Sequence, residues 1–106
     1  MERRLQLDNK IRALLNSENV YFQPPASIRM HYPAVRYKYA DPFTLSADDK
    51  NYHRRRKYAG VYIHLDPDDY FVERMIDSLR NDNIIAFSER RYEADNLYHD
   101  PFTIYY

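Results

Sequence analysis

The chain has 106 residues, a formal net charge of zero, no cysteine and 12 tyrosines. This length corresponds to one domain, residues 1–106, and the lack of cysteine excludes disulfides, thiolate nucleophiles and cysteine-bound metals. The zero net charge argues against a protein that binds nucleic acid by bulk electrostatics. No apolar run approaches the ~20 residues that span a bilayer, and no segment resembles a signal peptide. We therefore predict a protein that is made in a cytoplasm-like compartment and does not contact a membrane.

The composition is poor in aliphatic residues and rich in tyrosine. Isoleucine, leucine, valine and phenylalanine together make up less than a quarter of the chain, which is close to the fraction below which chains stay disordered. Tyrosine is enriched where proteins meet. The sequence therefore predicts a folded domain whose burial is completed in part by neighbouring copies of itself.

The first 25 residues predict a helix and a short strand. Residues 2–16 carry an apolar stripe at the spacing of an amphipathic helix, formed by Leu7, Ile11, Leu14 and Leu15. Leu5 lies off that stripe, so it is either an isolated surface leucine or a subunit contact. Residues 20–23 predict a strand, which Pro24 and Pro25 end because proline cannot donate to a strand ladder.

Residues 27–40 predict a second strand with two different faces. Val35, Tyr37 and Tyr39 alternate with Arg36 and Lys38. One face is therefore aromatic, and the other is solvated or contacts a partner. The two tyrosines of this strand are candidate subunit contacts.

Residues 41–51 lose all periodicity and predict a flexible loop. Long loops without structure of their own are typically functional or mobile. Four residues of this loop are candidate contacts with a neighbouring subunit or another protein: Phe43, Leu45, Asp48 and Asp49.

Residues 52–66 predict the central strand of the fold. After a cationic start the residues alternate in character, which is typical of a strand with one buried face. The apolar residues of the alternation, which we predict to face the core, are Ala59, Val61, Ile63 and Leu65. The opposite face carries His64 and two further candidate subunit contacts, Tyr58 and Tyr62. Gly60, the only glycine in the sequence, predicts a bulge or a close backbone approach.

A basic run leads into this strand and comprises Arg54, Arg55, Arg56 and Lys57. Because alternate strand residues point to opposite faces, an extended run cannot form one basic stripe. Three interpretations stay open. The run is a solvated arm that protects a sheet edge, an ion-pair partner for Asp48 and Asp49 of a neighbouring subunit, or a site of transient contact with DNA.

The second half of the chain predicts a helix and two strands. Asp66 is expected to cap the helix, Pro67 to occupy its first position, and Asp68 and Asp69 to face the positive end of its dipole. The apolar stripe that follows comprises Phe71, Val72, Met75, Ile76 and Leu79, and residues 81–83 end the helix. Strands follow at 84–92 and 97–106, with a turn at 93–96. The order α-β-β-β-α-β-β predicts an α+β fold with two helices packed on a mainly antiparallel sheet.

No pattern in the sequence indicates catalysis, a cofactor or a metal site. Helix capping explains most of the acidic cluster formed by Asp66, Asp68, Asp69 and Glu73. The four histidines show no short ligand spacing, although strand pairing could bring His64 and His99 together beside Asp66 or Asp100. A single glycine cannot form a phosphate-binding loop. We therefore predict a protein that is not an enzyme and holds no cofactor.

Several segments of the sequence resemble one family of bacteriophage proteins. They are residues 19–25 (NVYFQPP), 32–35 (YPAV), 50–52 (KNY) leading to 66–68 (DPD), and 91–100 (RYEADNLYHD). The similarity spans nearly the whole chain, and the ADNL-x-H-D pattern before the final strand is its most specific part. The family resembled is that of tail terminators, also called tail completion proteins. These are encoded among the head–tail joining genes of long-tailed phages.

The resemblance implies a structural virion protein with a helix–strands–helix–strands plan. Such a protein is assembled in the host cytoplasm into a hexameric ring at the top of the tail tube, in the neck. There it ends tail assembly and joins the tail to the head–tail connector or a head-closure protein. The implied partners are copies of the chain itself, the tail tube protein and the connector. The candidate contacts would then be subunit or neck contacts, and the basic run would line the lumen or an interface.

Three other functions remain as alternatives to the tail terminator. The nearest is a head-closure or joining-ring component of the same neck. A small nucleic-acid-binding regulator, suggested by the arginines and tyrosines, would show DNA affinity that falls steeply with salt. A small enzyme that uses the acids after the central strand would lose its activity when Asp68 and Glu73 are changed to amides.

Overall fold

The structure is a computed structural model that describes residues 3–40 and 55–106. Its elements in chain order are α1 (Arg3–Leu15), β1 (Val20–Phe22), β2 (Ala34–Tyr39), β3 (Lys57–His64), α2 (Phe71–Asn81), β4 (Ile85–Ser88), β5 (Tyr92–Ala94) and β6 (Leu97–Tyr105). The predicted α+β class and the mainly antiparallel sheet with two helices are confirmed. Neither helix in the described ranges is long and apolar enough to cross a membrane.

The strands form one six-stranded sheet in the order β1-β2-β3-β6-β4, and β5 pairs with β6 outside this path. β1 runs parallel to β2, whereas all other pairs are antiparallel. β3 pairs with β6 from Lys57, opposite Tyr105, to His64, opposite Tyr98. β2 pairs with the other side of β3. β3 is therefore the central strand of the sheet, as predicted.

Both helices pack on one face of the sheet, and that face carries large aromatic side chains among its aliphatic ones. Tyr37, Tyr58 and Tyr62 are 1%, 1% and 2% exposed and belong to the same core as the apolar residues of α1 and α2. Of the four residues predicted to face the core, Val61 and Ile63 are buried, at 8% and 3% exposure, but Leu65 is 67% exposed, and none of the four, Ala59 included, belongs to the core under the helices. These residues have the opposite strand parity, so they lie on the face away from the helices.

The reversal has a physical reason, because the tyrosines bring hydroxyl groups that find acceptors under the helices. The Tyr37 hydroxyl donates to Asp8 on α1 at 2.5 Å, and the Tyr62 hydroxyl donates to Asp69 before α2 at 2.6 Å. A buried hydroxyl is tolerated when it is hydrogen-bonded. The large rings then fill the space between sheet and helices that the few aliphatic residues leave.

Element boundaries differ from the prediction at β2, at α2 and near the C-terminal end. The predicted strand 27–40 is shorter in the structure, where β2 covers Ala34–Tyr39. α2 begins at Phe71, because residues 66–69 form a turn closed by a hydrogen bond from the Asp69 amide to the Asp66 carbonyl at 3.1 Å. The predicted strand 84–92 ends at Ser88, and the predicted turn contributes to an additional short strand, β5. Both helices end close to the predicted bounds, at residue 16 and at residues 81–83, since Asn16 and Asn83 adopt positive φ angles of 57° and 62°.

Gly60 is required by a close approach of Phe102 from the neighbouring strand β6. An added Cβ at residue 60 would lie 2.4 Å from Cζ and 2.7 Å from Cε1 of the Phe102 ring. It would also lie 3.0 Å from the Arg36 carbonyl oxygen. Of the two predicted reasons for this glycine, the close approach is the one found. The Phe102 ring covers the position where any other side chain would begin.

Candidate interaction surfaces

The sheet face opposite the helices carries a groove of about 770 Å³. Ala59 and Val61 of β3 and Pro101 of β6 contribute apolar lining, and the last two are register partners. In the described ranges the helices pack on the other face only. No helix of the described chain covers this face, but Val61 and Ile63 at its centre are already 8% and 3% exposed, so its apolar surface is provided mainly by the half-buried Ala59 and Pro101.

Cations from β2 and β3 line the same groove, and we call it the basic groove. They are Arg36, Lys38 and Lys57. None of these side chains forms an ion pair with another residue in the described part of the chain. Glu89 beyond β4 is the acid that lines the groove. The surface therefore suits a partner with negative charge and some apolar area.

A second exposed surface lies in the turn between β3 and α2, residues 65–70, which we call the acidic turn. Leu65 and Tyr70 are large apolar residues that are 67% and 53% exposed. Asp66 and Asp68 lie between them and are also exposed. The Asp66 carboxylate accepts the Asp68 amide at 2.9 Å. The turn therefore presents two exposed apolar side chains together with two carboxylates.

Arg91 holds the acidic turn against the sheet. Its Nη1 donates to the Pro67 carbonyl at 2.8 Å, and its Nη2 donates to the Asp69 carbonyl at 2.5 Å. The same guanidinium contacts the buried Asp100 carboxylate of β6 through Nε at 2.5 Å and Nη2 at 2.9 Å. The Tyr70 ring lies 5.6 Å from this guanidinium. One arginine therefore fixes the turn to the central strands through charge-assisted hydrogen bonds.

Asp69 fixes the other end of the turn to the start of α2. One carboxylate oxygen accepts the Tyr62 hydroxyl at 2.6 Å, and the other accepts the Phe71 amide at 3.0 Å. Burial raises the pKa of Tyr62 above its ordinary value, and the bond to Asp69 raises it further. The phenol therefore stays protonated and donates. Asp69, and not Asp66 as predicted, satisfies the first amide of the helix.

His64 forms a buried pair with the same aspartate that binds Arg91. Its Nε2 lies 2.8 Å from Asp100 Oδ2, and the residue is 1% exposed. The imidazole lies between two tyrosine rings, with centroid distances of 4.7 Å to Tyr62 and 5.7 Å to Tyr98. Rings on both sides leave no room for a substrate at this pair. We assign it a structural role in positioning Asp100.

The predicted possibility that His64 and His99 meet is wrong, because the two residues lie on opposite faces of the sheet. His99 stacks on Tyr92 of β5 at 4.8 Å on the groove side. Within residues 3–40 and 55–106, no three side chains of the metal-ligating types lie together.

A separate network ties α1 to the sheet edge. The buried Asp8 carboxylate accepts the Tyr37 hydroxyl and also pairs with Arg12, one turn further along α1. Arg12 continues to the carbonyls of Glu18 and Val20, both at 2.9 Å. Burial raises the pKa of Tyr37, and the neighbouring Asp8 carboxylate raises it further. Through the buried Asp8 carboxylate, this network fixes α1 to β1 and β2.

Removing the Tyr37 hydroxyl tests this network. We expect Tyr37→Phe to lower the free energy of unfolding by about 1–2 kcal/mol, because a buried carboxylate loses a donor. Urea denaturation at pH 7 measures the change. Tyr32→Phe is the matched control, since Tyr32 is exposed and should change stability by less than about 0.5 kcal/mol. Equal losses in the two variants would contradict the assigned role of the hydroxyl.

Some of the candidate contact residues predicted from the sequence are exposed, some are buried, and some lie outside the described residues. Leu5 and Tyr39 are exposed. Tyr37, Tyr58 and Tyr62 are buried in the core of the chain itself, so the prediction that they are surface contacts is corrected. The remaining candidates, Phe43, Leu45, Asp48 and Asp49, lie outside the described residues, as does the predicted flexible loop 41–51.

The basic run does not act as one unit. Arg54 lies outside the described residues. Arg55 donates to the Asn83 carbonyl at 3.2 Å, and the Arg56 guanidinium lies 5.3 Å from the Tyr39 ring. Of the described members of the run, Lys57 alone lines the basic groove. The alternation expected for an extended run therefore directs its members to different surroundings.

Asp100 was considered from the sequence only as a possible neighbour of His64, which it is, and Arg91 was not identified as a residue that holds the acidic turn. A signal for Asp100 was present, because its strand parity matches that of the buried Phe102 and Ile104. A carboxylate at a buried position requires a hydrogen-bonding or charged partner. Nothing in the linear pattern indicates which of the neighbouring arginines, Arg90 or Arg91, provides it.

Comparison of the chain with protein-family models, with curated proteins and with solved structures found no match.

Proposed function

We propose that the chain is a structural subunit of a bacteriophage neck. In this role it forms a homo-oligomeric ring, hexameric by its resemblance to tail terminators, at the top of the tail tube. The ring stops tube polymerisation by binding the last tube ring and presents its opposite face to the head connector or head-closure protein. No chemical step is required of it.

The observation that carries this proposal is the basic groove. A sheet face with apolar residues, and with cations that form no ion pair among the described residues, is suited to contact with another protein. It lies opposite the helices, and neither described helix covers it. The buried ionisable side chains, by contrast, hold elements of the chain together: Asp8 binds α1 to β2, and Asp100 binds the acidic turn to β6. The buried polar groups stabilise the fold, and the sheet face opposite the helices is suited to binding another protein. This combination is what we expect of an assembly subunit.

A subunit that makes a heterologous contact with its neighbour assembles into a ring if the rotation closes. We expect light scattering of the purified chain at high concentration to give the mass of six copies of the 12.9 kDa polypeptide. Assembly is expected to weaken as salt rises, since the groove cations would contribute to the contact.

Loss of the gene in the phage distinguishes the two neck positions. A tail terminator limits tube growth, so its loss should give tails of unregulated length and heads without tails. A head-closure subunit leaves tail length unchanged, so tails of normal length separated from heads would assign the chain to that alternative. Complete, infectious particles without the protein would contradict both neck functions.

A further inference from the structure

We propose that the acidic turn of one copy docks into the basic groove of the next copy, and that this contact closes the ring. The inference rests on the proposed ring assembly and specifies the two surfaces that form it. The contact is heterologous, because one copy contributes the turn and its neighbour contributes the groove.

The two surfaces lie toward opposite ends of the central strand. β3 begins at Lys57 in the groove and ends at His64, directly before the acidic turn. An extended strand rises ~3.3 Å per residue, so the strand is roughly 23 Å long between these residues. A lysine side chain cannot bridge that length within one copy. Opposite charges at the two ends of one rigid strand favour a heterologous contact between copies, which gives a ring when the rotation closes.

The chemistry of the two surfaces is complementary. The groove offers Lys38 and Lys57 without ion-pair partners among the described residues, and the turn offers Asp66 and Asp68, likewise without a described cationic partner. The exposed Leu65 fits the apolar floor of the groove, where its burial would remove most of its surface from water. Such an apolar anchor surrounded by charged pairs is the usual anatomy of an interface.

The turn is already held in one conformation before it docks. Arg91 binds two of its carbonyls, and Asp69 accepts bonds from Tyr62 and Phe71. A segment that is ordered in the free chain loses less conformational entropy when it binds. The network of buried polar residues thus contributes to affinity as well as to folding.

A second copy fits the groove better than DNA does. The floor is apolar, which suits the Leu65 side chain and not a phosphate backbone. The chain has a net charge of zero, so it lacks the long-range attraction that nucleic-acid binding requires. DNA also leaves Leu65 and Tyr70 exposed, whereas docking of the turn buries both.

Cross-linking of single-cysteine variants tests the contact, because the natural chain has no cysteine. Thr103→Cys places a thiol in the groove, and Glu73→Cys places one on the first turn of α2 beside the acidic turn. We expect a short bismaleimide to join the two variants when they are mixed and neither variant with itself. Asn81→Cys, at the other end of the same helix, is the matched control and should not join Thr103→Cys.

Charge reversal makes the test specific. Lys38→Glu in the groove chain is expected to reduce the yield of the mixed dimer about tenfold, which corresponds to about 1.4 kcal/mol. Asp68→Lys in the turn chain is expected to restore it. Cross-links between identical single-cysteine chains would overturn the inference, because they indicate a two-fold contact.

Other outcomes distinguish a wrong interface from a wrong function. If the wild-type chain is oligomeric but groove and turn do not cross-link, the interface is wrong while the ring stands. If gene loss leaves tails and particles normal, the neck function is wrong whatever the cross-links show. DNA retardation that disappears in Lys38→Glu and persists in Asp68→Lys would assign the groove to nucleic acid and overturn the docking of the turn.

Discussion

Gly60→Val is expected to lower the free energy of unfolding by about 3 kcal/mol or more, because no side chain fits between β3 and the Phe102 ring. The first added carbon would lie 2.4 Å from that ring. Phe102 is 1% exposed and cannot rotate away without displacing other core residues. For a domain of this size the melting temperature should fall by roughly 15 °C. Thermal and urea unfolding followed by circular dichroism measure both quantities.

Ala59→Val is the matched control, since it adds a side chain of the same type at the adjacent residue of the same strand. Residue 59 lies on the groove side, where there is space. We expect its stability to change by less than about 0.5 kcal/mol. A second variant, Phe102→Leu, replaces the ring with a smaller side chain. Gly60→Val should therefore lower the free energy of unfolding less in that background than in the wild type. Equal costs in both backgrounds would show that the glycine is needed for another reason.

The comparison of Gly60 with its neighbours shows what the sequence could predict. The single glycine in a strand pattern indicated a close approach, and the structure identifies the approaching ring as Phe102. The alternation along β3 correctly divided its residues into two faces. Which face packs on the helices was predicted wrongly, because hydrophobicity ranked Val61 and Ile63 above Tyr58 and Tyr62. Periodicity defines faces, but it does not reveal where the helices lie.

The buried tyrosines and acids depend on contacts that are distant in the chain. Tyr37 finds its acceptor on Asp8, 29 residues away, and His64 pairs with Asp100, 36 residues away. No local pattern contains these pairings, so the sequence could not predict the candidate surfaces that the networks shape. Short-range signals did locate helix ends, where Asn16 and Asn83 adopt left-handed conformations without long-range help.

Arg91→Met is expected to lower the free energy of unfolding by about 3 kcal/mol at pH 7. The substitution keeps a long side chain but leaves the buried Asp100 carboxylate without its cationic partner, which is more costly than losing an exposed ion pair. The carbonyls of Pro67 and Asp69 lose donors as well. The acidic turn should loosen, so cross-linking through Glu73→Cys should also decline.

Arg90→Met provides the control, because Arg90 is the preceding residue, is exposed and forms no ion pair with the described residues. It should change stability by less than about 0.5 kcal/mol. A double variant, Arg91→Met with Asp100→Asn, removes both charges and should lose less than the two single variants do in sum. Strict additivity would mean that the arginine and the aspartate do not act together.

The pH dependence of stability follows from the same pair. Burial by itself would raise the pKa of Asp100, but the hydrogen bonds from Arg91 and His64 outweigh it and lower that pKa below its ordinary value of 3.8. Between the lowered pKa and the unfolded value near ~3.9, the unfolded chain binds more protons than the folded one. The stabilisation that the Asp100 carboxylate contributes is therefore complete above the pKa of the unfolded chain. It decreases as the pH falls through the pKa of Asp100 in the folded chain.

Arg91→Met removes the main group that lowers the pKa of Asp100. Protonation of Asp100 at low pH therefore reduces the free energy of unfolding less in this variant than in the wild type. We expect the difference in unfolding free energy between wild type and Arg91→Met to be largest at neutral pH and to narrow as the pH falls below that of an unfolded aspartate. Urea titrations at a series of pH values measure this difference, with Arg90→Met expected to follow the wild type throughout. A difference that stays constant with pH would show that Arg91 acts by packing and not through the charge of Asp100.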